Sequence, residues 1–184
     1  SLVIHDANIA YAETLYDIEG LSNSKEFLNN MEKSFPDNIN YLRTMAELFY
    51  KADDFESSIQ YYDLIFEKID KIEFKHWPLF YSSGIALERG KNWERAEKQF
   101  LTALQFVPNN PQVLNYLGYS WIDQGVNINR ALEMIVNAAE QRPDDGYIID
   151  SLGWAYFQIG NYEEAVINLE KAVPASELSS KLKN

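Results

Sequence analysis

Residues 110–145 read NPQVLNYLGYSWIDQGVNINRALEMIVNAAEQRPDD, and residues 146–173 read GYIIDSLGWAYFQIGNYEEAVINLEKAV. The two stretches are one pattern written twice. Gly118 and Gly153 each follow a leucine, Gly125 and Gly160 come seven residues later, and Ala131 and Ala165 open the next apolar run, so the pattern recurs every 34 to 35 residues. Self-similarity at a fixed period of this size marks a stacked repeat, in which each supersecondary unit buries a face that it cannot cover alone.

The same register extends towards the N-terminus. With the small residue of each first helix set at repeat position 8, residues 77–110 carry Gly84 there, Trp93 at 17, Ala96 at 20, Phe100 at 24, Ala103 at 27 and Pro108 at 32. Residues 39–72 form a degenerate unit with Leu42, Met45, Ala46 and Phe49, then Phe55, Ser58 and Tyr62, where Ser58 replaces the usual alanine. Residues 5–38 are more degenerate again, keeping Ala12, Leu28, Met31 and Pro36.

Positions 4, 7, 8 and 11 share one helical stripe, and positions 20, 24 and 27 share another, so each unit is expected to be two helices packed through those stripes. Small residues at 8 and 20 let the backbones approach closely. Gly90, Gly125 and Gly160 stand where first helices must end, and each is expected to supply a left-handed C-cap. Asn110 before Pro111 reads as an N-cap, Asp144 and Asp145 sit where the next cap belongs, and Asn161 with Glu164 outlines a capping box. The extra residues IEFKH at 72–76 predict either a longer helix or a kink between the second and third units.

These residues resemble the tetratricopeptide repeat, whose pattern asks for a large apolar residue at 4, Leu at 7, a small residue at 8, an aromatic at 11, Ala at 20, Phe at 24 and Pro at 32. Leu114, Leu117, Gly118, Trp121, Ala131, Ile135, Ala138 and Pro143 match it in one unit. Ile149, Leu152, Gly153 and Tyr156, then Tyr162, Ala165, Leu169 and Ala172 in the second helix, match it in the next. The resemblance implies an all-α, right-handed superhelical solenoid of about five helix-turn-helix repeats. These span residues 5–38, 39–72, 77–110, 111–145 and 146–179 of one domain, with a short polar C-terminal tail. Pro174 precedes that tail, and Glu177 takes the usual proline position.

The phrases LNYLGYSWIDQGVNINRAL and DDGYIIDSLGWAYFQIGNYEEAV also resemble bacterial tetratricopeptide proteins of the cell envelope, some of them lipoprotein adaptors that deliver substrates to periplasmic proteases. That implies a bacterial adaptor, with the periplasm or cell envelope favoured over the cytoplasm. The chain begins at Ser1. A signal peptide or lipid anchor would therefore lie outside it.

Composition narrows the function. A content of 46% hydrophobic and 14% aromatic residues is enough for a substantial core. Sixteen Lys and Arg against 28 Asp and Glu give a net charge of -12, which repels nucleic acid and anionic lipid. Apolar runs fall far short of the roughly 20 residues that cross a bilayer, so no membrane contact is expected from the chain. No cysteine is present, which excludes disulfides, thiolate metal sites and a cysteine nucleophile.

Catalysis finds no footing in the sequence. His5 and His76 lie 71 residues apart with no metal-ligand spacing, and no phosphate loop, serine elbow or dinucleotide fingerprint occurs. Asp53 with Asp54, and Asp144 with Asp145, could form acid-base pairs, but at helix-helix turns their expected work is capping. No catalytic residue, cofactor or metal is assigned.

A binding face is the remaining reading. Positions 2, 5, 9 and 12 of the first helices form a second stripe that should be polar if it merely met water. Instead the last unit places Tyr147, Asp150, Trp154 and Phe157 on it, and the preceding unit places Gln112, Asn115, Tyr119 and Ile122 there with Tyr116 alongside. Further up the chain stand Tyr81, Ile85 and Glu88, then Asn40, Arg43, Glu47 and Tyr50 with Lys51. Neighbouring helices could cover this stripe, or it could be a peptide groove with rigid aromatic anchors. In the groove reading Arg43, Tyr50, Lys51, Tyr81, Asn115, Tyr116, Tyr119, Tyr147, Asp150, Trp154 and Phe157 line the site. Basic Arg43, Lys51 and Arg89 lie towards one end of the stripe, and Asp123 and Asp150 towards the other.

The family members that grip chaperone C-termini use Lys at 5 and Asn at 9. This chain has Arg43, Tyr81, Asn115 and Asp150 at 5, and Glu47, Ile85, Tyr119 and Trp154 at 9, against that partner. The expected function is a non-catalytic scaffold or adaptor for a protein or peptide partner. The alternatives are a self-associating homo-oligomeric module and a part of a larger enzyme-associated or envelope-assembly protein.

Overall fold

The computed structural model describes residues 2–36 and 38–172, and among these it contains ten α-helices and a single-turn 3₁₀ helix. In chain order the helices are α1 (Leu2–Glu19), α2 (Leu21–Ser34), α3 (Ile39–Lys51), α4 (Phe55–Lys68), α5 (Trp77–Arg89), α6 (Trp93–Phe106), α7 (Pro111–Asp123), α8 (Ile128–Gln141), α9 (Gly146–Gln158) and α10 (Tyr162–Ala172). The class is the expected all-α helical-repeat solenoid. Pro174, Glu177 and the polar tail lie outside the described residues.

Two compact units divide the chain, Ser1–Gln99 and Phe100–Asn184, with the division inside α6. In the first unit α1 packs on α2, α3 on α4, and α1 also on α3. Its core runs from Ala12, Leu28, Tyr41, Met45, Leu48 and Phe49 to a second cluster of Leu42, Ala46, Tyr62, Ile65, Leu79 and Ala86. The second unit pairs α7 with α8 and α9 with α10, and α9 also touches both α7 and α8. Trp121, Leu117, Val113, Ile135 and Ala138 are fully or nearly fully buried there.

Small residues set the spacing within each pair. A β-carbon added at Gly118 would stand 2.8 Å from Ile135 Cγ1 and 2.9 Å from the Ala131 carbonyl oxygen, and one at Gly153 would meet Leu169 Cγ at 2.7 Å. Those distances leave no room for any side chain. In the first pair the close approach carries a hydrogen bond as well, because Ser24 Oγ donates to the Ala12 carbonyl at 2.7 Å. Ser58, in the alanine position, is fully buried.

The turns correct one expectation. Gly125 and Gly160 adopt left-handed backbone, with φ of 69° and 83°. Gly90 does not, since its φ is −76°, and the left-handed residue of that turn is Lys91 at φ 61°. Asp53 takes the equivalent place after α3 at φ 58°. Gly90 serves a different need: a β-carbon there would come within 2.9 Å of Ile59 Cδ1 on α4.

The insertion at 72–76 does not lengthen α4. It forms the 3₁₀ turn Phe74–His76, closed by reciprocal capping in which the Glu73 N–H donates to His76 Nδ1 at 3.0 Å. Lys75 Nζ pairs with Glu73 Oε2 at 2.9 Å on the outside of the turn. His76 is buried, so the inserted residues lead directly into α5.

Candidate functional site

The aromatic stripe of the second unit is held by two capped helices. Asn110 Oδ1 accepts from the Gln112 and Val113 N–H groups at 3.0 and 3.2 Å, which fixes the start of α7. Asp145 Oδ1 does the same for α9 through Tyr147 and Ile148 at 3.1 and 3.4 Å. Each cap satisfies donors that the first turn leaves open and places an acceptor at the positive end of the helix.

Between the two helices runs a short polar relay. Asn115 Nδ2 donates to Ser151 Oγ at 3.2 Å, and Ser151 Oγ donates to the Tyr147 carbonyl at 2.9 Å. The other amide atom, Asn115 Oδ1, is buried with no hydrogen-bond partner, and so is Trp154 Nε1 one turn beyond Ser151 on α9. An indole N–H can only donate and an amide oxygen can only accept, so these are opposite halves of unmet hydrogen-bonding capacity. Leaving such a group buried and unpaired costs about 1–3 kcal/mol.

Around these atoms the aromatic residues remain open to solvent. Tyr147 is 89% exposed, and Tyr119 and Phe157 are also exposed. Trp154 is half-buried and stacks on Phe157 with ring centroids 5.6 Å apart, and Phe157 meets Tyr162 of α10 at 5.6 Å. Tyr116 is half-buried with its ring 5.2 Å from that of Phe100. Neither α7 nor α9 contains Lys or Arg, while Asp123 and Asp150 are exposed, so the charge these helices carry is negative. Ile122 leaves the stripe: it is buried next to Trp121, because the core-facing side of α7 is wide enough to take both.

In the first unit Arg43, Glu47 and Arg89 are already engaged. Arg43 Nε lies 3.7 Å from Glu47 Oε1, one turn along α3, and Arg89 sits over the Phe55 ring at 5.4 Å. Burial raises the Glu47 pKa, against the lowering pull of Arg43 and with a further push from Glu13. Tyr50 and Tyr81 are half-buried, and burial pushes the Tyr81 hydroxyl up. Lys51 is exposed at the end of α3.

Four of the groups considered for chemistry, His5, Asp54, His76 and Asp145, have structural partners. His5 Nδ1 is 2.7 Å from the Tyr41 hydroxyl. Asp54 caps α4 by accepting from Ser57 N and Oγ at 3.0 and 2.7 Å. Among the described residues no group of three or more His, Asp or Glu is placed to hold a metal ion, and no helix is long and apolar enough to cross a membrane.

No family model matches the sequence. A TPR repeat-containing protein of Pseudomonas aeruginosa is 30% identical over 95 residues, which cover 52% of this chain and 16% of that protein. MamA from Desulfovibrio magneticus superposes with a TM-score of 0.76 over 97% of both chains at 13% identity. The chain has the fold of the tetratricopeptide-repeat proteins. YrrB, described as a TPR protein with an unusual peptide-binding site, superposes with a TM-score of 0.68 over 96% of this chain and 90% of its own at 17% identity. At these identities the tetratricopeptide structures establish the fold. The chain spans about a sixth of its P. aeruginosa relative.

Two members of the site escaped the sequence reading. Ser151 joins Asn115 across 36 residues, a pairing that becomes visible only once α7 and α9 lie side by side. Tyr162 opens α10 and was assigned to the second helix of its pair, yet its exposed ring extends the aromatic surface of α9.

Proposed function

We propose that the chain is a non-catalytic protein-interaction scaffold whose α7–α9 face holds an extended polypeptide segment. The observation that carries this reading is the run of exposed aromatic rings on two neighbouring helices, Tyr119, Tyr147 and Phe157, with the half-buried Trp154 stacked on Phe157. Tyr119, Tyr147, Trp154 and Phe157 supply broad, rigid contact at low entropic cost. Asp123 and Asp150, with no base on either helix, favour a segment carrying Lys or Arg. The peptide-binding site described for YrrB supports peptide as the ligand class.

Selection from a randomised peptide library tests this directly. The wild-type chain should enrich basic, aromatic-rich or aliphatic-rich sequences. Their affinity should fall by about tenfold or more, roughly 1.4 kcal/mol, in Trp154→Ala and Tyr119→Ala chains that keep their helicity. Unchanged affinity in both variants would remove the α7–α9 face from the account.

A further inference from the structure

Helix α1 carries apolar residues on two separate sides. One side is core: Ala12 is fully buried, Ile9 and Tyr16 pack against the Tyr41 and Met45 cluster, and Asn8 Nδ2 donates to the Tyr41 hydroxyl at 3.2 Å. The other side, roughly 130° round the helix at about 100° per residue, consists of Ile4, Ala7, Tyr11, Thr14 and Ile18. All five are exposed, Ile18 by 76%, Ile4 by 56% and Tyr11 by 55%. Their spacing alternates three and four residues, the repeat of a seam that packs on another helix.

The seam is preformed. Thr14 Oγ1 donates to the Ala10 carbonyl at 2.8 Å, so its hydroxyl is satisfied within α1. Tyr11 rests edge-on against Phe27 of α2 with centroids 4.9 Å apart. Single exposed apolar residues are ordinary, but a contiguous stripe of them marks an interaction site.

Charge says what kind of helix fits. Helix α1 contains Asp6, Glu13, Asp17 and Glu19 and no Lys or Arg. Asp6, Glu13 and Asp17 fall within roughly 40° of one another on one flank of the seam. The ion pairs given by the described residues lie elsewhere, so among the described residues no base pairs with any of the three. A second copy of α1 would bring only more carboxylates.

We propose that the outer face of α1 docks one amphipathic partner helix, with an apolar stripe against Ile4, Tyr11 and Ile18 and Lys or Arg side chains along the Asp6, Glu13 and Asp17 flank. This site is independent of the α7–α9 face.

The test titrates two labelled synthetic helices into the 184-residue chain by fluorescence anisotropy. Both have Leu and Ile in a heptad seam, one with Lys and the other with Glu on the flanks. The Lys helix should bind and the Glu helix should not. Ile4→Ser/Ile18→Ser should weaken binding about tenfold or more with helicity retained. Asp6→Asn/Glu13→Gln/Asp17→Asn, which leaves the apolar stripe intact, should both weaken it and flatten its salt dependence. Trp154→Ala should leave it unchanged.

Three results overturn the proposal. One is no binding of the Lys helix, and another is equal binding in the seam and charge variants. The third is a seam already occupied, either by a second copy, seen as a dimer that Ile18→Ser dissociates, or by a preceding segment of a longer polypeptide, seen as a Lys helix that binds the 184-residue chain but not the longer one.

Discussion

Asn115 of α7 reaches across to Ser151 of α9, its amide nitrogen 3.2 Å from the serine hydroxyl, and this leaves the amide oxygen buried and unpaired. The bond ties the two helices together while fixing the orientation of the amide. Ser151→Ala removes the acceptor of the Asn115 N–H in a nearly water-free position, so stability should fall by about 1 kcal/mol. Chemical denaturation of the two chains measures it. No change would mean that the relay does not hold the face together.

Gly118→Ala should destabilise. The new methyl meets Ile135, whose branched side chain is stiff, and the Ala131 carbonyl, which cannot move without its helix. Overpacking costs roughly 1–3 kcal/mol and the better helix propensity of alanine returns up to about 1 kcal/mol, so a net loss of about 1 kcal/mol is expected. A melting temperature at or above wild type would contradict the packing described for α7 and α8.

Lys91→Gly and Gly90→Ala should act in opposite directions. Lys91 holds φ of 61°, where a side chain costs about 1–2 kcal/mol, so glycine there should raise stability. Gly90 has an ordinary φ and a close neighbour in Ile59, so alanine there should lower it. Thermal melts of both variants decide the matter, and the reverse pattern would move the turn by one residue.

Two carboxylates should give pH dependences of opposite sign. The Ser57 hydroxyl and N–H hold the Asp54 pKa below its usual value. Its contribution is therefore complete above the unfolded value of about 3.9 and is lost as pH falls through the folded pKa. The stability difference between wild type and Asp54→Asn should shrink on acidification. Glu47 is raised by burial, so its ionisation opposes folding: stability is fully present below the unfolded value of about 4.3 and is lost as pH rises through the folded pKa. Glu47→Gln should match wild type in acid and exceed it near neutrality.

Much of this was legible because it is local. The small residues Gly118, Gly153, Ala131 and Ala165 mark close helix pairs by spacing alone, and Asn110 and Asp145 act as caps on donors only two and three residues away. Gly90 was misread because a glycine kept for close approach and one kept for left-handed backbone look alike in a sequence. Residues 72–76 announced an insertion but not its shape, which depends on the His76 ring turning back onto Glu73. Ile122 follows the period of the stripe, yet burial beside Trp121 overrides it. The outer seam of α1 was hidden because a helix apolar on two sides shows no clean single stripe, and Ser151 drew no notice because its partner is 36 residues away.

The most direct test of the peptide-binding account follows the side-chain N–H signals of the four tryptophans by heteronuclear NMR as a library-selected peptide is added. Trp154→Phe assigns the Trp154 signal by removing it. The account predicts that this indole resonance shifts on binding, as the peptide covers the half-buried Trp154 ring, while those of Trp77, Trp93 and Trp121 stay close to their free positions. Saturating peptide that leaves the Trp154 indole unmoved while another tryptophan responds would contradict it.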